Sequence, residues 1–297
     1  MLNYPKILEK IEKLMKEAGE IFFDLDPKNN FEMKGRNDFV TEVDFEVQEF
    51  LEKNLLNLIE GSNLLAEEKG KSSEDLRDYT WVLDPVDGTT NLVHGFNHSV
   101  ISLALLVKSE IVLGAIYDPF RDEFFSAIKG QGAKLNGGEI KVSPDKNFSD
   151  TLIGAGTGGG RAGRSDETFE MLRFIFDRTN GIRRLGTAAL EMCYAACGRY
   201  DAFIDDALNL WDYAAGSLIV REAGGIVINM HGEEVHCERH GGIICGNRLA
   251  VEELKRFIYW STAYAVFFYF LKGNKGDIIK IRKFTYNKEW FYKKFTI

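Results

Sequence analysis

Two aspartates three residues apart, Asp84 and Asp87, close the apolar run Trp81-Val82-Leu83 and open the turn Gly88-Thr89-Thr90-Asn91. Pro85 between them fixes the backbone direction and Gly88 permits a tight turn, so the backbone aims both carboxylates. Thr89, Thr90 and Asn91 then offer hydroxyls and N–H groups at a helix start, where the dipole favours an anion. A pair of carboxylates beside an anion cradle is a way to hold metal ions over a phosphate. The plainer alternative is that Asp-Pro and Asp-Gly only punctuate the chain.

Two distant segments weigh against punctuation alone. Leu64-Leu65-Ala66-Glu67-Glu68 is a short apolar run ending in paired carboxylates, and Leu210-Trp211-Asp212-Tyr213 sets an aspartate at a helix start. Together these are hard oxygen donors with no soft ones, which suits Mg²⁺ or Mn²⁺ better than zinc.

Through Glu67-Glu68, Asp84-Pro85-Val86-Asp87-Gly88-Thr89-Thr90-Asn91, Trp211-Asp212-Tyr213-Ala214-Ala215-Gly216 and Glu222-Ala223-Gly224-Gly225, the chain resembles the inositol monophosphatase family of Mg²⁺-dependent, Li⁺-sensitive phosphatases. The motifs occur in the family's order, from about the N-terminus to Lys255. The resemblance implies a layered αβαβα sandwich, of mixed α+β and α/β character, commonly a homodimer. It implies a first metal held by Glu67, Asp84 and the Val86 carbonyl, and a second held by Asp84, Asp87 and Asp212. Glu67 would also face a third, weaker metal, so that two or three Mg²⁺ ions are expected, with Mn²⁺ a substitute. Asp44 matches the carboxylate that works with Thr89 to orient the attacking water, and the N–H groups of Gly88 and Thr89 match the phosphate cradle.

The chemistry explains these residue types. A phosphomonoester dianion repels hydroxide, so a site must neutralise charge, lower the pKa of a water and align it opposite the leaving oxygen. No Cys or His is positioned for a covalent phosphoenzyme, so direct in-line attack by water is expected. Among substrate contacts, the resemblance points to Thr90, to the main-chain N–H of Ala188 in Gly186-Thr187-Ala188-Ala189, and to Asp205, where the family often has a glutamate. Asp205 and Asp206 read equally as a solvated acidic turn. Ala66 and Asn97 depart from the family's usual Gly and Pro without removing a ligand. Lys34-Gly35-Arg36-Asn37-Asp38 corresponds to a family loop that can close over the third metal; an ordinary surface connector is its alternative.

The elements that must position these residues follow from periodicity. Ile7 to Ile21 and Thr41 to Ile59 have helical spacing, the second led by a capping Thr. Strands are expected at Trp81 to Asp84, Val100 to Val107, Ile111 to Tyr117 and Glu123 to Ala127, making an antiparallel sheet with two helices. After Pro144 strands and helices alternate: Thr151 to Ala155, Glu167 to Arg178, Ile182 to Leu185, Ala188 to Cys197, Ala202 to Ile204, Trp211 to Ala223 and Ile226 to Asn229. The expected division is an N-terminal lobe at 1–147 with most metal ligands, a C-terminal lobe at 148–258 completing the site, and an extension at 259–297.

Three other patterns carry less. Gly158-Gly159-Gly160-Arg161-Ala162-Gly163-Arg164-Ser165 imitates a P-loop, but Arg164 stands where Lys should reach the phosphates, and a flexible inter-lobe loop is simpler. His231, His236, Cys237, His240 and Cys245 fit no common zinc spacing, and His231-Gly232 and His240-Gly241 read as turns. Cys193 and Cys197, four apart on an apolar helix face, read as small buried side chains.

A chain of 297 residues, 45% apolar, can bury a large core as one broad sandwich or two packed lobes. Four cysteines without disulfide spacing and no secretory signal point to the cytoplasm. The net charge of −8 hides an asymmetry: residues 272–297 hold eight Lys or Arg and two acids, net +6, leaving −14 elsewhere. An acidic body argues against nucleic acid as the main partner. Phe257 to Leu271 is aromatic and nearly uncharged but shorter than the ~20 residues of a membrane span, so docking on the body or self-association is favoured over a membrane-surface role. The leading expectation is hydrolysis of inositol 1-phosphate. Fructose-1,6-bisphosphatase, nucleotide 3'-phosphatase or NADP phosphatase activity is the runner-up. A non-catalytic regulatory or RNA-associated binding protein is the alternative of another class.

Overall fold

The structure is a computed structural model and describes residues 2–28, 30–35, 38–68, 76–158 and 165–257. Arg36, most of the P-loop-like segment and the aromatic and basic extension lie outside these residues.

Helix α1 (Tyr4–Asp24) begins where the Asn3 side chain accepts the Lys6 N–H, with Pro5 in its first turn. It buries Ile7, Ile11, Met15, Ala18 and Phe22, one stripe at helical spacing. Helix α2 (Glu42–Leu58) buries Val43, Val47, Leu51 and Leu55 at intervals of four. Between them the strands β1 (Phe31–Gly35) and β2 (Asp38–Thr41) form an antiparallel hairpin.

Among the described residues there is a seven-stranded sheet in chain order: β3 (Asn63–Ala66), β4 (Tyr79–Asp87), β5 (Val100–Val107), β6 (Glu110–Asp118), β7 (Glu123–Ile128), β8 (Ala133–Leu135) and β9 (Gly138–Ile140). Both faces of the central strands are buried. Trp81, Leu83, Leu103 and Leu105 pack with α1 and α2, while Val82, Ala104 and Leu106 pack on the opposite side. Each of the leucines and Val82 contributes about 1.5–3 kcal/mol relative to exposure. A short helix, α3 (Thr89–His94), follows β4.

The second half supplies β10 (Leu152–Ala155), α4 (Ser165–Phe176), β11 (Gly181–Arg183), α5 (Ala188–Ala196), β12 (Ala202–Asn209), α6 (Leu210–Glu222), β13 (Ile226–Asn229) and β14 (His240–Gly246). The strands form a sheet of order β11-β10-β12-β14-β13. Phe203, Ile243 and Cys245 face α5 and α6, whereas Ile153, Ile204 and Ile244 face Met171 and Ile175 of α4 and the helix at 248–257. The layers are therefore α1 and α2, the first sheet, α5 and α6, the second sheet, then α4 with the last helix. This is the layered αβαβα sandwich. Gly114 of β6 lets α6 press close, since a Cβ there would sit 2.7 Å from the Ala215 carbonyl oxygen.

The order of elements follows the sequence expectation, with two corrections. The first sheet is not wholly antiparallel: β3 runs parallel to β4, with Leu64 opposite Trp81 and Ala66 opposite Leu83. A strand of four residues leading into two glutamates carries too little pattern to reveal its partner. His240-Gly241 is not a turn but the start of β14, whose pairing with β12 and β13 buries Ile243 to Cys245. Among the described residues no helix is long and apolar enough to cross a membrane.

Candidate active site

Residues three apart on a regular strand point to opposite faces, which would separate Asp84 from Asp87. The pairing of β4 with β5 shows how the chain avoids this. Asp84 lies opposite Ser102 and Asp87 opposite Val100, so β4 spends one residue more than its neighbour. That bulge falls at Pro85-Val86, where proline has no N–H to lose from the ladder. The extra residue turns both carboxylates to one side. Asp84 Oδ1 accepts the Val86 N–H at 3.0 Å and locks the bend. Gly88 follows at φ +94°, a backbone conformation that suits glycine.

Glu67 and Glu68 arrive beside this bend because the Glu67 N–H still bonds the Leu83 carbonyl, at 3.2 Å, just past the end of β3. Gln48 of α2 clamps the next residue, accepting the Glu68 N–H at 3.2 Å and donating to its carbonyl at 3.3 Å. Lys34 of β1 extends its ammonium to Glu68 at 2.6 Å and Glu67 at 3.4 Å.

Asp44 and Asp212 are positioned by the same local device. Each is the third residue of a helix and reaches back to the residue before the helix. Asp44 Oδ2 accepts the Thr41 N–H at 2.8 Å and the Thr41 hydroxyl at 2.6 Å; Asp212 Oδ2 accepts the Asn209 N–H at 2.7 Å. One oxygen of each carboxylate is spent on the backbone and the orientation is fixed. The Thr89 hydroxyl lies 3.0 Å from both Asp44 Oδ1 and the Val86 carbonyl oxygen, and donates its single proton to one of them.

Asp87 is held from the second sheet's side. Its Oδ2 accepts the Thr187 hydroxyl at 2.7 Å and the Ala189 N–H at 2.6 Å, so the start of α5 is spent on this carboxylate. The Ala188 N–H also bonds Asp87, where the sequence reading assigned it to substrate. Asn91 ties the same two regions, its amide donating to the His98 carbonyl at 2.7 Å and the Leu185 carbonyl at 2.8 Å. Thr90 is exposed, and Asp205 is buried on β12 at a second bulge.

The charge on this cluster is its main physical property. Burial, then repulsion from Glu67, Asp87 and Asp212, pushes the Asp84 carboxyl well above the usual carboxylate range. Asp212 is pushed up by burial and by Asp87. Glu67 is raised by burial, with Lys34 pulling the other way, and Asp87 is raised by burial against its Thr187 bond. Asp44, raised chiefly by burial, comes to about 6, and Asp205 to about 7. A site that concentrates carboxylates at such cost calls for positive charge.

The donor set fits a hard cation: Glu67, Asp84, Asp87, Asp212 and the Val86 carbonyl are all oxygen ligands. As the side chains stand, no three of the described His, Cys, Asp or Glu residues converge to enclose one ion. The fit therefore rests on donor chemistry and charge. The sulfur and imidazole groups read against zinc are engaged elsewhere: Cys245 is in the core, Cys237 donates to the Ser109 carbonyl, and His240 bonds Asn209.

The sequence reading named Thr187 and Asn91 within their motifs without giving their side chains these bonds, and it missed Glu191. The last is buried, with its carboxyl pushed up by burial to about 8, and it accepts the Gly186 N–H. A glutamate inside a helical run reads as solvated surface, and only the packing of α5 between two sheets buries it.

The model of the inositol monophosphatase family matches residues 5–259 of this chain. A Pseudomonas aeruginosa protein named Nus factor SuhB is 39% identical over 218 residues, which is 72% of this chain and 80% of the relative. An inositol monophosphatase of Dictyostelium discoideum is 38% identical over 234 residues, 76% of this chain and 85% of the relative. Among solved structures, a Thermotoga maritima IMPase is 32% identical with a TM-score of 0.79, covering 87% of this chain and 99% of its own.

Proposed function

Because the chain belongs to the inositol monophosphatase family, we propose that it is a Mg²⁺-dependent phosphomonoesterase that hydrolyses inositol 1-phosphate. The observation that carries the reading is the bulge at Pro85-Val86, which turns Asp84 and Asp87 toward Glu67 and Asp212 and sets Thr89 against Asp44. Bound Mg²⁺, or Mn²⁺ in its stead, would neutralise the phosphate and lower the pKa of an attacking water.

The chain's own groups then have separable tasks. Glu67, Asp84, Asp87, Asp212 and the Val86 carbonyl would hold two metals, and Glu67 would face a third. Thr89 donates its hydroxyl proton to Asp44 and keeps lone pairs free to accept from water, so a proton lost by water passes through Thr89 to Asp44. A carboxyl raised to about 6 is a stronger base than an ordinary one and is still mostly ionised at neutral pH. The N–H groups of Gly88 and Thr89, with the Thr90 hydroxyl, cradle phosphate oxygens; Asp205 faces the alcohol, while the Ala188 N–H stays on Asp87. The protein acts as a cytoplasmic homodimer, with lobes at 1–147 and 148–258 and an extension of unassigned role at 259–297.

A second reading, a regulatory binding protein without turnover, is favoured by the relative named Nus factor SuhB. The complete carboxylate set argues for the enzyme. Phosphate release from inositol 1-phosphate, fructose 1,6-bisphosphate, adenosine 3',5'-bisphosphate and NADP, with and without Mg²⁺ and Li⁺, decides between them. Fastest Mg²⁺-dependent, Li⁺-inhibited turnover of inositol 1-phosphate is expected; no release from any ester would leave the binding reading.

A further inference from the structure

One buried acid close to the metal-ligand cluster has no task in the reaction. Glu191 stands in the first turn of α5 and is 1% exposed. Its Oε2 accepts the Gly186 N–H at 3.3 Å, and the Leu185 N–H is directed at the same carboxyl. Among the described residues Oε1 has no hydrogen-bond partner. Burying an acid with one oxygen unpaired costs stability, and an apolar side chain would serve a plain helix better at this position.

The start of α5 explains what the acid does. A helix ordinarily satisfies its first N–H groups with the side chain of the residue before it. Thr187 holds that place, yet its hydroxyl makes no cap bond. It donates to Asp87 Oδ2 at 2.7 Å, and the Ala188 and Ala189 N–H groups bond the same carboxylate. With these donors turned onto Asp87, the preceding turn must be held by other groups. Asn91 holds its carbonyl side, donating to the Leu185 carbonyl at 2.8 Å. Glu191 holds its N–H side by reaching back over Thr187, and Gly186 makes the bend at φ +80°. Burial pushes the Glu191 carboxyl up to about 8, so at neutral pH it is mostly a neutral acid and adds little charge beside Asp87.

We propose that Glu191 is a positioning residue for the metal site: by gripping the Leu185-Gly186 turn it keeps the Thr187 hydroxyl and the first N–H groups of α5 on Asp87, and so sets the affinity for Mg²⁺. This rests on the reading of Asp87 as a metal ligand and extends it to a residue outside the ligand set.

The test is a calorimetric Mg²⁺ titration of purified full-length protein without substrate, with metal-free Tm read in parallel to show that each variant is folded. Glu191→Gln keeps an oxygen for the turn and should bind Mg²⁺ nearly as the wild type does. Glu191→Met keeps the length of the side chain without the acceptor, and its Kd for Mg²⁺ should rise about 10-fold, with a smaller change in kcat at saturating Mg²⁺. Because both residues act through Asp87, Glu191→Met combined with Thr187→Val should fall well short of the roughly 100-fold product of two independent losses. Wild-type affinity in Glu191→Met, a Glu191→Gln as weak as Glu191→Met, or a double variant that reaches the product overturns the proposal. If Glu191→Met does not fold, Glu191→Asp, one methylene short of the turn, takes its place: weaker Mg²⁺ binding supports the role and unchanged binding rejects it. A wild type that binds Mg²⁺ but releases no phosphate refutes the enzyme reading alone, and one that binds no Mg²⁺ overturns the metal site and the role of Glu191 with it.

Discussion

Asp84 is the residue on which the site depends most, since it is the carboxylate that burial and three neighbouring acids together penalise. Replacing it with Asn keeps an oxygen for the Val86 N–H and removes a charge. Asp84→Asn should cut metal-dependent phosphate release by about 1,000-fold or more, a loss of roughly 4 kcal/mol in transition-state stabilisation, yet leave Tm in EDTA unchanged or higher. Loss of both activity and metal-free stability would mean the residue is a structural anchor instead. The raised carboxyls also predict a pH dependence. A carboxyl whose folded pKa exceeds its unfolded value near 4 binds more protons when folded, so stability falls as pH rises between those values. With Asp44 at about 6, Asp205 at about 7 and Glu191 at about 8, metal-free stability should decline from about pH 4 to pH 8. The Tm gain on adding Mg²⁺ should grow across the same range, and a gain that shrinks with pH would contradict the charge argument. Asp84 and Asp87 were legible because Asp-Pro and Asp-Gly flank a strand end. Thr187 and Glu191 were not, because their partners lie about 100 and 5 residues away in sequence and carry no spacing signature.

At the scale of elements, the site is a meeting of the β4 bulge with the starts of α2, α5 and α6. Thr187→Val removes one of the bonds to Asp87 and leaves the Ala189 N–H, so Mg²⁺ affinity should fall about 10-fold with a smaller change in kcat. An unchanged Mg²⁺ titration would mean that α5 does not tune this ligand. Gly114→Val should destabilise the fold by about 1–3 kcal/mol, measured by urea unfolding, because the new side chain meets the backbone of α6. Elements whose pattern is unambiguous were readable from sequence: Val100 to Val107 and the four residues Ile226 to Asn229 match β5 and β13 end for end. Three short strands were not. β3, β8 and β9 have three or four residues, and their pairing is chosen by neighbours rather than by their own composition.

At the scale of the whole chain, residues 1–271, which include the acidic cluster, carry a net charge of −14, and the basic charge is concentrated in residues 272–297. Two buried sheets sharing the α5 and α6 layer give the rigid frame across which Asp87 is held by Thr187, and Ser102 by the Trp211 carbonyl. The layered architecture was accessible through motif order, since no single periodicity dictates how two sheets share a helical layer. The most direct measurement is phosphate release from inositol 1-phosphate as Mg²⁺ is titrated into wild type and Asp84→Asn. Release should rise from zero with Mg²⁺ in the wild type and stay near zero in the variant; release that persists in EDTA, or equally in Asp84→Asn, would contradict a metal site built on Asp84.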